Sequence, residues 1–212
     1  YTNALVNYEK LQHHERIAGT LISIGFLHYS LGDYASAQQA YLRSIEHARG
    51  VSITLESQAL NNVGLAYMET GDFSSALDHL LKSLVLARST NDATSTACAL
   101  DSLADLYLRK QDFPRALEYA NVSVELAKSA KLDFDISLGI SLITLGRIYL
   151  AKQEYAEATG CFQEAAQTFG DVTANHRIAQ AHFMLGVTHR CQGQLDHAAT
   201  MLQQAFKLAS EL

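Results

Sequence analysis

The chain has 212 residues, 48% of them hydrophobic, and a net charge of −6 from 16 basic and 22 acidic side chains. This composition can fill a continuous apolar core and disfavours a nucleic-acid surface, which needs clustered positive charge. No apolar run reaches the roughly 18 residues needed to cross a bilayer and no signal peptide is visible, while three widely spaced cysteines (Cys98, Cys161 and Cys191) suit packing roles in a reducing, cytoplasmic setting.

Tyr1 precedes Tyr41 by 40 residues and Ala4-Leu5 aligns with Ser44-Ile45, so 1–12 is expected to be the tail of a preceding repeat's second helix. Five units are predicted to follow, at 13–50, 51–90, 91–131, 132–171 and 172–212. In the first, a helix over 13–31 carries Leu21, Ile24 and Gly25 on one face, and its partner over 34–49 carries Ala37, Tyr41 and Ile45. The second unit contains Gly64, Tyr67, Gly71, Asp72 and Ala76. Gly71 offers the freedom a helix C-terminus needs, and Asp72 can cap the next helix. The third unit has Ala104 and Gln111 where the second has glycines, so a slightly wider helix crossing is expected; Pro114 falls in a first helical turn, where its missing N–H costs nothing. Asp133 or Asp135 is the expected cap of the fourth unit. In the fifth, Leu195, Ala198, Leu202, Ala205 and Leu208 form an uncovered stripe, so a further helix or domain is expected to follow.

The units are in register. The small residues Gly25, Gly64, Ala104, Gly146 and Gly186 stand 39, 40, 42 and 40 residues apart. Three later come His28, Tyr67, Tyr107, Tyr149 and His189. Seven later come Gly32, Gly71, Gln111, Gln153 and Gly193, followed by an acid or glutamine and then an aromatic residue or leucine. Alanine stands twelve later in every unit, and Tyr41, Leu80, Ala120, Phe162 and Leu202 stand sixteen later.

This pattern resembles the tetratricopeptide repeat in a long variant of about 40 residues, similar to the arrays of kinesin light chains, polarity scaffolds and bacterial regulators. The resemblance implies an all-α, right-handed α-solenoid (superhelix) of five antiparallel helix pairs, whose first helices line a concave groove. It implies a non-catalytic module that binds a peptide or helical segment of a protein partner, as the sensor or scaffold part of a larger signalling protein. The groove positions carried over from the family include Phe26, Tyr29, Gln58, Asn61, Asn62, Leu65 and Met68. They continue with Asp101, Asp105, Arg109, Thr144, Arg147, Phe183 and Arg190. Asn62 can both donate to and accept from a peptide backbone; Asp101 and Asp105 suit a basic side chain, and Arg147 and Arg190 an acidic one. Lysine is missing where the chaperone-binding class holds a carboxylate. Alternatives are self-association through the terminal helix, giving a homodimer, and reception of a small ligand or signalling peptide.

Motifs for chemistry are lacking. There is no Gly-x-Ser-x-Gly, Cys-x-x-Cys, His-Glu-x-x-His or glycine-rich phosphate loop, so no enzyme, cofactor, nucleic-acid or membrane function is expected. The adjacent His13, His14 and Glu15 diverge around a helix and cannot easily share one ion. His28, His182 and His189 occupy register positions held elsewhere by apolar or aromatic residues, and read as fillers of packing slots; His79 and His197 read as solvent-facing.

Overall fold

The computed structural model describes residues 1–129, 136–170 and 175–210, and these residues form eleven helices and no strand. In chain order they are α1 (Thr2–Lys10), α2 (His14–Ser30), α3 (Tyr34–Ala48), α4 (Ile53–Glu69), α5 (Phe73–Ser89) and α6 (Ala93–Arg109). Then come α7 (Phe113–Ser129), α8 (Ile136–Ala151), α9 (Tyr155–Thr168), α10 (Asn175–Cys191) and α11 (Leu195–Ser210). Asp133 and Asp135 lie outside the described residues.

Short polar side chains start several of these helices. Asp33, Asp72 and Asp112 accept from the backbone N–H of Ser36, Ser75 and Arg115 at 3.1, 3.0 and 3.3 Å, satisfying amides that the helix itself leaves unpaired. Pro114 sits in the first turn of α7. Each turn at the register's seventh position is closed by a left-handed residue. At Gly71 (φ 80°) this is unstrained, and the N–H groups of Asp72 and Gly71 reach back to the carbonyls of Tyr67 and Met68. Gln111 and Gln153 hold φ 59° and 66° with a side chain in place, at a steric cost glycine avoids.

The chain divides into two compact units, Tyr1–Leu106 and Tyr107–Leu212. In the first, α2 packs on α3 and α4 on α5; α3 also packs on α4, α2 touches α4, and α1 lies against α2. Its core joins Ala37, Tyr41 and Ile45 to Ala59, Leu60, Val63 and Ala66, with Leu5, Ile17 and Leu21 as a smaller cluster where α1 meets α2. In the second, α8 pairs with α9 and α10 with α11; α7 packs on α8, α9 on α10, and α8 touches α10.

The register's glycines make room for the residue sixteen positions on. A Cβ placed on Gly64 would stand 2.7 Å from Leu80 Cγ, and one on Gly146 would stand 2.6 Å from the Phe162 ring. Leu80 and Phe162 are both fully buried, and each such side chain contributes about 1.5–3 kcal/mol through burial. In the third repeat the two positions hold Ala104 and Ala120, both 0% exposed. Polar bonds add to this packing inside the hairpins. Ser44 Oγ donates to the Ala18 carbonyl at 2.9 Å, and Ser83 Oγ donates to the Ser57 carbonyl at 2.8 Å. Buried hydroxyls are tolerated because they are paired in this way.

Candidate functional site

Within the first unit, α4 and α6 enclose a cavity of about 250 Å³. Ser57, Gln58, Asn61 and Asn62 come from α4, Ser83 from α5, and Thr94, Ser95 and Cys98 from α6. No lining residue is an acid, lysine or arginine. The Ser57 and Ser83 hydroxyls lie 3.1 Å apart and bond to each other, and Ser95 Oγ donates to Asp92 at 2.6 Å. Asn61 differs. Its Oδ1 is buried and finds no hydrogen-bond partner among the described residues. Nearby on the first helices, Tyr29 O–H donates to Glu69 Oε1 at 3.1 Å and ties α2 to α4.

A larger cavity, about 670 Å³, lies among α3, α4 and α5 in the same unit and is lined by Leu42, Leu81 and Val85 with a rim of charged residues. Part of that rim is engaged in the exposed Lys82–Asp78 pair at 2.6 Å and in Arg49–Glu56 at 3.7 Å. Such surface pairs contribute little, and this cavity offers no orphaned acceptor. The smaller cavity is therefore the better candidate.

The structure gathers Gln58, Asn61 and Asn62 into one wall and adds Ser57, Ser83, Thr94 and Ser95, which were not singled out in the sequence. Phe26 is 61% exposed on α2, Leu65 is half-buried on α4, and Asp101 and Asp105 are half-buried on α6. Met68 is a correction: it is 2% exposed, because its flexible apolar side chain is drawn into the interior instead of lining a groove. Thr144 is a second correction, at 4% exposed: its stretch of α8 faces the interior, where Ile143 is also buried at 5%. In the second unit Arg147 is half-buried on α8, Phe183 and Arg190 are exposed on α10, and Arg109 is exposed at the end of α6.

Three histidines differ from their expected roles. His28 does not fill a core slot but pairs with Asp33 at 3.2 Å, and His189 Nδ1 lies 2.7 Å from Gln194 Oε1. Both reach the turn five residues on, where a polar partner stands. His79 is half-buried, stacked on Tyr67 with ring centroids 5.3 Å apart and bonded to the Ser75 carbonyl, so it is not a solvent-facing residue. His182 is half-buried, and burial holds it below the ordinary histidine value. Burial also pushes the Cys161 thiol up to about 11, which removes the thiolate that nucleophilic chemistry needs.

Residues 51–211 match the family described as the MalT-like TPR region, and residues 18–49 match a tetratricopeptide repeat. The chain belongs to the MalT-like TPR family. No curated protein matches this tetratricopeptide chain in sequence. Among solved structures it is similar to BtubC (BKLC) from P. vanneervenii, at 16% identity and a TM-score of 0.76, covering 99% of this chain and 88% of that one. It is also similar to the putative kinesin light chain repeats of Podosopora anserina, at 16% identity and a TM-score of 0.68, covering 94% and 97%. A Rap protein complexed with Competence and Sporulation Factor matches at 17% identity and a TM-score of 0.80, over 93% of this chain and 54% of that one. At these identities the likeness establishes the fold, an all-helical repeat solenoid. No helix among the described residues is long and apolar enough to cross a membrane.

Proposed function

We propose that this tetratricopeptide chain is a non-catalytic protein-interaction module that holds an extended peptide or a helical segment of a partner against its first helices. The observation that carries the reading is the uncharged amide and hydroxyl cavity between α4 and α6, with Asn61 Oδ1 buried and unpartnered. An acceptor left in that condition costs about 1–3 kcal/mol, and a ligand N–H bonded there removes the cost. Asn62, on the same wall, can both donate and accept, which matches the alternating groups of a peptide backbone. Exposed Phe26 on α2 adds an apolar surface in the same unit. A Rap protein of similar fold complexed with Competence and Sporulation Factor is consistent with this use of the fold. A role as the sensor or scaffold part of a cytoplasmic signalling protein follows from the same reading.

Affinity capture from a native lysate tests it, with the wild-type chain and an Asn61→Ala, Asn62→Ala variant as paired baits. A partner retained by the first and lost by the second supports the site; equal retention by both removes it.

A second reading has its own observation. Leu195 and Phe206 on α11 are 68% and 76% exposed, a surface suited to self-association. Light scattering across a concentration series gives a rising mass if this is right, and a constant monomer mass if it is not.

A further inference from the structure

The large cavity among α3, α4 and α5 has a makeup that the repeat itself does not demand. Its volume of about 670 Å³ lies within the range of about 300–1,000 Å³ typical of small-molecule sites. Leu42 on α3 and Leu81 and Val85 on α5 line it, and they are 36%, 39% and 66% exposed. Leu42 and Leu81 stand seventeen positions after Gly25 and Gly64, where the other three repeats hold Asn121, Gln163 and Gln203. Polar residues thus satisfy this place on a second helix. Leucines in contact with water there carry a cost that an apolar ligand relieves.

Glu56, in the first turn of α4, supplies a polar end. Its side chain is only 16% exposed, and its ion-pair partner, Arg49 Nε, lies 3.7 Å from Oε1. That contact is longer than a hydrogen bond, so a carboxylate largely withdrawn from water keeps room for an N–H donor. Arg49 is 72% exposed and can swing into water. Lys82, the other cation lining the cavity, is held by Asp78 at 2.6 Å. Glu46 on α3 also lines it and makes no ion pair among the described residues, which leaves the cavity with an excess of negative charge.

We infer that this cavity binds a small molecule with an apolar body and a single protonated amine. The ammonium donates to the Glu56 carboxylate, Glu46 adds attraction from the rim, and Leu42, Leu81 and Val85 cover the body. The site is separate from the amide cavity between α4 and α6, and it stands or falls independently of peptide binding there.

Octylamine, octanol and octanoate share one chain and differ only in head group, so they test this directly. Each is titrated into the full chain near neutral pH, below its micelle concentration, by calorimetry, with the methyl resonances of Leu42, Leu81 and Val85 reporting the place. The expected result is one saturable octylamine site per chain, with octanol bound roughly tenfold or more weakly and octanoate weaker still. Glu56→Gln removes that preference for the amine, and Glu56→Asp, which keeps the charge, retains part of it. Glu46→Gln weakens octylamine by less than about fivefold, because the residue is exposed. Val85→Ser, at an exposed position, weakens octylamine and octanol together, and urea midpoints verify that each variant folds. Octanol bound as tightly as octylamine, wild-type amine affinity in Glu56→Gln, or saturation without movement of the three methyl signals overturns the site. Absence of saturable binding by all three probes also overturns it, and points to a helical segment of a partner as the occupant of the groove.

Discussion

Helices α4 and α8 hold the same place in their repeats and carry opposite chemistry at matching positions. Where α4 has Gln58, Asn61 and Asn62, α8 has Ile140, Ile143 and Thr144. The amides line a cavity, whereas Ile143 and Thr144 are 5% and 4% exposed. The two repeats differ in the same way beneath the surface. Gly64 faces Leu80 and Gly146 faces Phe162; one turn closes on Gly71 and the other on Gln153; Asp72 caps its helix, and Glu154 makes no side-chain cap bond. A shared register therefore dictates where the backbone goes, while side-chain size and polarity decide which positions a partner can reach.

The largest effect that can test this contrast lies in the glycine slots. Phe162→Ala empties the space over Gly146 and is expected to cost about 3–5 kcal/mol in chemical denaturation, against about 2–5 kcal/mol for Leu80→Ala over Gly64. A loss under about 1 kcal/mol at either site means that the slot is not filled by that side chain. Next in size is the reverse change. Gly64→Ala puts a methyl group 2.7 Å from Leu80 Cγ and is expected to cost about 1–3 kcal/mol by overpacking. Combined with Leu80→Ala it reproduces the alanine pair of the third repeat, so the double variant is expected to be more stable than the sum of the single losses by roughly 0.5–3 kcal/mol. Simple additivity in a double-mutant cycle means that the two residues do not compete for one space.

The fold was legible because the register repeats. Glycine, aromatic, turn residue and alanine recur at spacings near 40, so each copy corroborates the others and a helical-repeat reading needs no single strong motif. The site was legible only in part. Gln58, Asn61 and Asn62 share a helix face, and helical geometry finds that face; Met68 and Thr144 share it too, but their burial depends on neighbouring side chains that the register does not encode. Ser57, Ser83, Thr94 and Ser95 went unnoticed because small hydroxyl residues also serve as ordinary packing groups. A signal did exist, in Ser44, Ser83 and Ser123 recurring at spacings of 39 and 40.

The smallest effect concerns the caps, and it separates the same two repeats by pH. Ser75, through its hydroxyl and backbone N–H, holds the Asp72 carboxyl below its ordinary value, and Ser36 and Ser95 do the same for Asp33 and Asp92. A carboxyl whose folded value is depressed binds its proton more readily when unfolded. Its contribution is thus complete above the ordinary value of 3.8 and is lost as pH falls through the lower folded value. Acidification from pH 5 toward pH 2 should therefore loosen the starts of α3, α5 and α6 through their aspartate caps, a side-chain cap bond that the start of α9 does not have. Carboxyl titrations followed by nuclear magnetic resonance check this directly. Ser75→Ala should move Asp72 upward toward its ordinary value and leave Asp33 in place, because the two carboxyls depend on different serines. An Asp72 titration unchanged by Ser75→Ala means that the helix start, and not the serine, holds the charge.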